Sequence, residues 1–387
     1  HKHPVRAAVA ATDAEGAKGM TDSIRNRPIL VALPQAGALA PRPLPLSLLS
    51  RRGAIAALAA AAIAAPRLAH AQAAPRVRLL LDWAFQSPNA FALVARERGF
   101  FREAGVDVSI ERGSGSGRVP PQLAAGAADL GYADINPAIR FAIENPNAGI
   151  LCVAVLLDRS PLCVITRADG PVAAPKDLEG RMLAAPDFDA GRQLFPAFAR
   201  AAGIDRARVA FTSVSPELRE PMLVQRRAEG ITGFVTTSAI ALKGIGLGHA
   251  QQRVMMYAGH GLDLFGAALL TTRAFADANP EALRRAIGAL LRGVRAQLAD
   301  PAEAMAILKR AEPLTDVALE TERHAMNVDR CLMTPNVRDN GLSAVDPQRM
   351  ARGIAAVELA FGLDAGGLTA ERFWTPDFLP PRAERSV

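Results

Sequence analysis

Four aspartates, Asp82, Asp134, Asp187 and Asp189, each stand at or just beyond the end of a short apolar run, with few arginines beside them in the chain. Carboxylates accept hydrogen bonds and attract positive charge, so this set suits a ligand with N–H donors or a cationic group and disfavours nitrate and simple alkanesulfonates. The side chains that would complete such a site cluster in the same short stretches. Trp83 can stack on a planar ligand, pack against a cation, or serve as a hydrophobic plug. Phe85 and Phe188 can wall the ligand from two sides or belong to the core, and Gln86 and Asn89 follow Trp83 closely. Ser114, Gly115 and Ser116 lead into a prolyl helix start, where backbone N–H groups and hydroxyls can hold an anionic or carbonyl oxygen; a plain loop is the competing reading. Asp134 and Asn136, and then Thr236, Thr237 and Ser238, can either reach a ligand or cap the helices they precede.

None of these stretches carries a catalytic signature. The 113–117 loop lacks the Lys-Ser/Thr pair of a phosphate loop, and Ser114 occupies the position a nucleophile elbow reserves for glycine. Beyond residue 73 the histidines are His249, His260 and His324, with no HExxH and no CxxC, so neither a metal site nor a cofactor is expected. Cys152, Cys163 and Cys331 are too few for a disulfide scaffold; the first two lie in successive apolar runs that could be neighbouring strands, and buried free thiols are the expected state.

The elements that must position these residues alternate strand and helix. Strands are expected at 76–82, 106–111, 128–132, 150–157 and 162–166, then at 181–185, 209–212, 230–235 and 254–257, and finally at 267–272. Ser87-Pro88 reads as an N-cap with proline in the first turn, and Asn279 as the cap of a long amphipathic helix over 280–299. Arg284, Arg285 and Arg292 on that helix form a solvated face or a docking surface. The fold class is therefore α/β: two mostly parallel sheets flanked by helices, the second module inserted into the first, with a cleft at the strand ends. Lobe 1 is expected over 76–166 plus 264–380 and lobe 2 over 167–263, with His260 and Asp263 near the return hinge.

Composition narrows the setting. Of the formal charge of +7, nine Lys and Arg against three Asp and Glu lie in residues 1–73, which leaves 36 against 35 for the rest. A nearly neutral body lacks the basic footprint nucleic acid requires. Residues 50–73 place Arg51-Arg52 before a weak alanine-rich apolar run and an Ala69-His70-Ala71 end, the layout of a twin-arginine export signal and too short to span a membrane. Residues 1–49 read as a disordered or spurious upstream extension. A soluble, monomeric periplasmic protein is expected.

The stretch Leu81-Asp82-Trp83, with Asn89 six residues on, then 94–108, 123–131, 266–281 and Phe378-Leu379-Pro380, resembles the substrate-binding proteins of ABC importers for nitrate, sulfonates, taurine and thiamine pyrimidine precursors, the NMT1/THI5-like group. The resemblance covers about residues 76–380. It implies a two-lobed periplasmic-binding-protein fold of type II, joined by crossover strands, that closes over a small molecule and hands it to a permease served by an ATPase. The pyrimidine-precursor group is the nearest in the Asp-Trp opening and around Glu322-Arg323-His324, although this chain has Asn89 where that group carries His and Phe85-Gln86 where it carries Pro-Asn. A periplasmic sensor domain and a pyrimidine-synthase-like enzyme share the fold; the enzyme would need a Cys-rich motif and that His, and the sequence has neither.

Overall fold

The computed structural model describes residues 74–387 apart from Ala365. The export signal expected at 50–73 and the extension at 1–49 lie outside the described residues.

Strand β1 (Arg76–Leu81) starts half-exposed, with Arg76 and Arg78 in solvent and Val77 and Leu79 in the core, and ends buried on both faces at Leu80 and Leu81. It pairs in parallel with β2 (Asp107–Glu111) and β3 (Leu130–Asp134). Strand β4 (Ile150–Val155) is buried at every residue, as a continuous apolar run predicts for a strand covered on both faces. The chain then leaves this sheet. Strand β5 (Leu162–Arg167) opens a second one, which β6 (Met182–Ala185), β7 (Ala210–Ser213), β8 (Gly230–Phe234) and β9 (Gln252–Met256) complete, before β10 (Ala267–Thr272) returns to lie antiparallel between β3 and β4.

The two sheets have the orders β2-β1-β3-β10-β4 and β7-β6-β8-β5-β9. These are the same arrangement twice: three parallel strands, an antiparallel strand beside them, and an outer strand antiparallel to that one. The sheets are thus mixed, with a parallel half and an antiparallel half. The chain enters lobe 2 by its antiparallel strand and re-enters lobe 1 by the equivalent one. Residues 162–166, expected with the first lobe, therefore belong to the second sheet as part of β5, because 156–161 is a crossover and not a turn between neighbours. For the same reason Cys152 and Cys163 lie in different sheets; all three cysteines are free and buried.

The outgoing and returning crossovers run side by side. Leu156 and Leu157 both donate to the Ala267 carbonyl at 2.9 Å, Gly266 donates to Leu157 O at 2.8 Å, and Ser160 donates to Leu264 O at 3.0 Å. A side chain on Gly266 would come within 2.9 Å of Leu157 Cβ and 3.0 Å of Pro161, so glycine permits this close approach. Helices Pro280–Ala299 and Pro301–Ala311 cover the first sheet through helix Ala90–Glu97, and helix Pro347–Phe361 lies against Ile135–Glu144 of lobe 1 and Ala190–Ala201 of lobe 2. Asn279 does not cap the long helix; its amide turns back to Phe275 O at 3.4 Å. The arginines of that helix face solvent, where Arg284 pairs with Glu281 and Arg292 with Glu103.

Candidate functional site

The carboxyl ends of the parallel strands of both sheets meet at one cleft, walled by Asp82, Trp83, Gln86, Asn89, Gly115, Ser116 and Tyr132 on one side and by Asp189, Arg219, Phe234, Thr236 and Thr237 on the other. After β1 the chain bends into the turn Ser87–Asn89. Asn89 holds that bend, accepting from Gln86 N at 3.0 Å and donating to Ala84 O at 3.0 Å. The cap expected from Ser87 is absent: Asn89 closes the turn back onto Gln86 N, and the Ser87 hydroxyl is buried without a partner.

After β2 comes Gly115, at φ 145°, whose N–H donates to Asp82 O at 2.7 Å. A Cβ there would sit 2.5 Å from the Phe188 carbonyl of the opposite lobe, so the lobes can approach only over glycine. The Ser116 hydroxyl donates to Asp82 Oδ2 at 2.6 Å and accepts from Asp134 N at 3.1 Å. Asp134 Oδ1 caps the next helix through Asn136 N at 3.0 Å and also accepts from Asn136 Nδ2 at 2.8 Å, while the same amide reaches Phe265 O in the return crossover at 3.0 Å. Asp134 Oδ2 is buried without a partner. Burial pushes the Asp82 and Asp134 carboxyls up to about 7, and the negative charge of Asp189 adds to both shifts; the Ser116 hydroxyl pulls Asp82 the other way.

The second lobe answers differently. Asp189 caps helix Ala190–Ala201 through Arg192 N at 2.9 Å, accepts from Thr232 at 2.8 Å and pairs with Arg219 at 3.0 Å. Arg219 is 2% exposed, also binds Glu220 at 2.7 Å, and sets its guanidinium carbon 4.8 Å from the centre of the Trp83 ring. One face of Trp83 is thus covered by a cation from the other lobe. Arg219 was not among the residues expected at the cleft, because it stands well away from the aspartates in the chain. Its signal is positional: it follows β7 as Ser116 follows β2, and only the shared strand order makes that correspondence visible.

The structure sorts the remaining expected residues. Gln86 and Thr237 join the lobes, Thr237 Oγ1 donating to Gln86 Oε1 at 3.3 Å. Asp187 lies at the rim, paired with Arg192 at 2.9 Å and Ser213 at 2.6 Å. The Phe188 ring covers Arg118 at 4.5 Å, and Phe85 packs on the core of lobe 1. Ser114 lines a neighbouring outer groove. Ser238 is fully buried behind the cleft wall, and its hydroxyl and that of Thr236 have no partner. His260 bonds the Met256 carbonyl at 2.9 Å and Asp263 pairs with Arg349, both away from the cleft wall.

A tie from the C-terminal region joins both lips. On helix Val317–Asn327, Glu320 Oε2 accepts from Ser87 N at 2.7 Å, Glu320 Oε1 accepts from Arg323 Nε at 2.9 Å, and Arg323 Nη1 donates to the carbonyls of Thr236 and Thr237 at 2.7 Å each. Both side chains are buried.

The family model described as NMT1/THI5 like matches residues 87–304, from the turn after Trp83 into helix Pro301–Ala311. The chain belongs to this family. A formylaminopyrimidine-binding protein of Halalkalibacterium halodurans is 26% identical over 249 residues, covering 61% of this chain and 71% of that protein. Among solved structures, the alkanesulfonate-binding protein SsuA of Xanthomonas axonopodis pv. citri, bound to MOPS, aligns with TM-score 0.61 at 17% identity over 77% of this chain and 98% of its own. The periplasmic nitrate-binding protein NrtA of Synechocystis PCC 6803 aligns with TM-score 0.61 at 15% identity over 79% and 87%. The two-lobed fold is that of periplasmic binding proteins. Glu320, Arg323 and His324 lie beyond the stretch that the NMT1/THI5-like match covers.

Proposed function

We propose that the protein is an exported solute-binding protein of an ABC-type importer, which closes its lobes over a small planar molecule rich in N–H donors and presents the closed form to a permease and its ATPase. The carrying observation is charge. Among the residues lining the cleft, the one cation, Arg219, is already bound by Asp189 and Glu220, whereas Asp82 has a hydroxyl beside it and no cation. A ligand N–H group would complete Asp82, and Trp83 keeps one face for a ring. An anion would meet carboxylates with no unspent positive charge, which sets this cleft apart from what a nitrate or sulfonate site needs.

Binding without catalysis is supported by the thiols and the hinge. Burial pushes Cys331 up to about 12 and raises Cys152 and Cys163 further, so none supplies a thiolate. Paired crossovers allow lobe closure with no chemical step. Among the described residues no helix is long and apolar enough to cross a membrane.

Native mass spectrometry of protein purified without refolding, followed by calorimetry with formylaminopyrimidine, taurine, an alkanesulfonate and nitrate, tests the reading. Binding of the pyrimidine and not of the anions is expected. Tight nitrate or sulfonate binding would overturn the ligand class.

A further inference from the structure

Behind the turn Ser87–Asn89 lies a second chamber that shares Pro88, Tyr132 and Leu157 with the cleft wall. The free space there is about 10 Å³, room for roughly one water-sized group. Most of its wall is apolar, with Phe91, Val294 and Leu332 facing Gln297, His324 and Asn327.

The polar corner is incomplete in a specific way. Gln297 Nε2 donates to Ser87 O at 2.7 Å and to His324 Nδ1 at 3.1 Å, which commits both amide hydrogens. Turning the amide over would set its oxygen against the Ser87 carbonyl, so the orientation is fixed. Because Nδ1 accepts, the His324 ring carries its proton on Nε2, and burial lowers its pKa and keeps it neutral. Gln297 Oε1 is then a buried acceptor with no partner, and so is Asn327 Oδ1, one helical turn beyond His324; the two residues are 5% and 3% exposed. Buried amide oxygens without donors are rare in folded proteins and mark a missing group.

The corner's chemistry selects that group. An anion oxygen could take only the His324 Nε2–H and would face the Gln297 oxygen, and no carboxylate lines the chamber to hold an ammonium. A neutral hydroxyl fits. We infer that this chamber is a second subsite of the cleft, reserved for an O–H group that donates to Gln297 or Asn327: a water in the free protein and a hydroxyl of the ligand in the complex. The ligand half of this assignment rests on the reading of the main cleft as a ligand site.

A high-resolution crystal structure of the free protein tests the chamber alone. Density within hydrogen-bond distance of Gln297 Oε1 or Asn327 Oδ1 is expected, and its loss in a folded Gln297→Leu variant. A dry chamber, with no density near either amide oxygen, would overturn the site; the melting temperature of Gln297→Leu does not decide it, because that variant also leaves Ser87 O and His324 Nδ1 without their donor. Calorimetry with benzamidine and 3-hydroxybenzamidine, planar N–H-rich probes differing by one hydroxyl, separates the two occupants. The hydroxylated probe is expected to bind roughly tenfold tighter, a ratio that falls to near unity in Gln297→Leu. Equal binding of both probes would assign the chamber to water and overturn the ligand half. Failure of either probe to bind would count against the main cleft reading, and the crystallographic result would still decide the chamber.

Discussion

Ser116 and Arg219 occupy matching places in the two lobes. Each follows the edge strand of its parallel trio, β2 in one and β7 in the other, and each reaches the aspartate beyond the central strand, Asp82 at 2.6 Å and Asp189 at 3.0 Å. The first lobe thereby meets a buried carboxyl with a neutral hydroxyl, and the second meets one with a full positive charge. One backbone plan therefore supports two electrostatic solutions: a finished ion pair that fixes structure, and an unfinished carboxyl open to a ligand.

Four experiments would break or sharpen that contrast. Arg219→Met makes the second lobe resemble the first by leaving Asp189 and Glu220 buried without their cation, and a loss of about 3–5 kcal/mol in unfolding free energy is expected by denaturant titration. A near-neutral result would mean that the pair is not what holds this lobe. Trp83→Ala removes the surface shared by Arg219 and the ligand; formylaminopyrimidine binding should weaken by roughly 30-fold or more in calorimetry, with a smaller effect on stability.

Asp82→Asn removes the unfinished carboxyl from the first lobe. The sign follows from the raised pKa. Between about 4 and about 7 the folded state holds more protons at Asp82 and Asp134 than the unfolded chain, so wild-type stability falls as pH rises through that window and then levels off. The variant should flatten this slope and gain roughly 1–2 kcal/mol near pH 8, less than the full shift implies because the new amide must also be satisfied beside Ser116. Melting temperatures at pH 5 and pH 8 decide it; an unchanged slope would assign the pH dependence to other groups. The smallest effect belongs to the contact between the lobes. Thr237→Val should cost about 0.5–1 kcal/mol of closure, read as faster probe release with stability unchanged.

The fold was largely legible because each strand announces itself by a short apolar run between turn residues. The predicted 267–272 and 280–299 segments coincide with β10 and with helix Pro280–Ala299. The lobe of residues 162–166 was not legible, because an apolar run shows that a strand exists and not which sheet it joins. The cleft was legible where chemistry sits at a strand end, as at Asp82, Trp83, Ser116 and Asp189. Arg219 was not, since a buried arginine looks like any surface arginine until its two carboxylates are in place. Phe85 and Phe188 carried the right residue type, but their rings turn to the core and to Arg118. Ser87 and Asn279 had the right type for a cap, yet neither caps a helix: the Ser87 hydroxyl has no partner and the Asn279 amide donates to Phe275 O.

The Glu320–Arg323 tie bears on how such chains can be cut and exchanged. A chain ended at Ala304 would keep the ten strands of the described residues and every cleft residue named above, yet lose the arginine that grips the Thr236 and Thr237 carbonyls and the carboxylate that holds Ser87. Grafting the C-terminal helices of a relative onto this body would therefore retune how readily its lobes part, even with the ligand pocket left untouched.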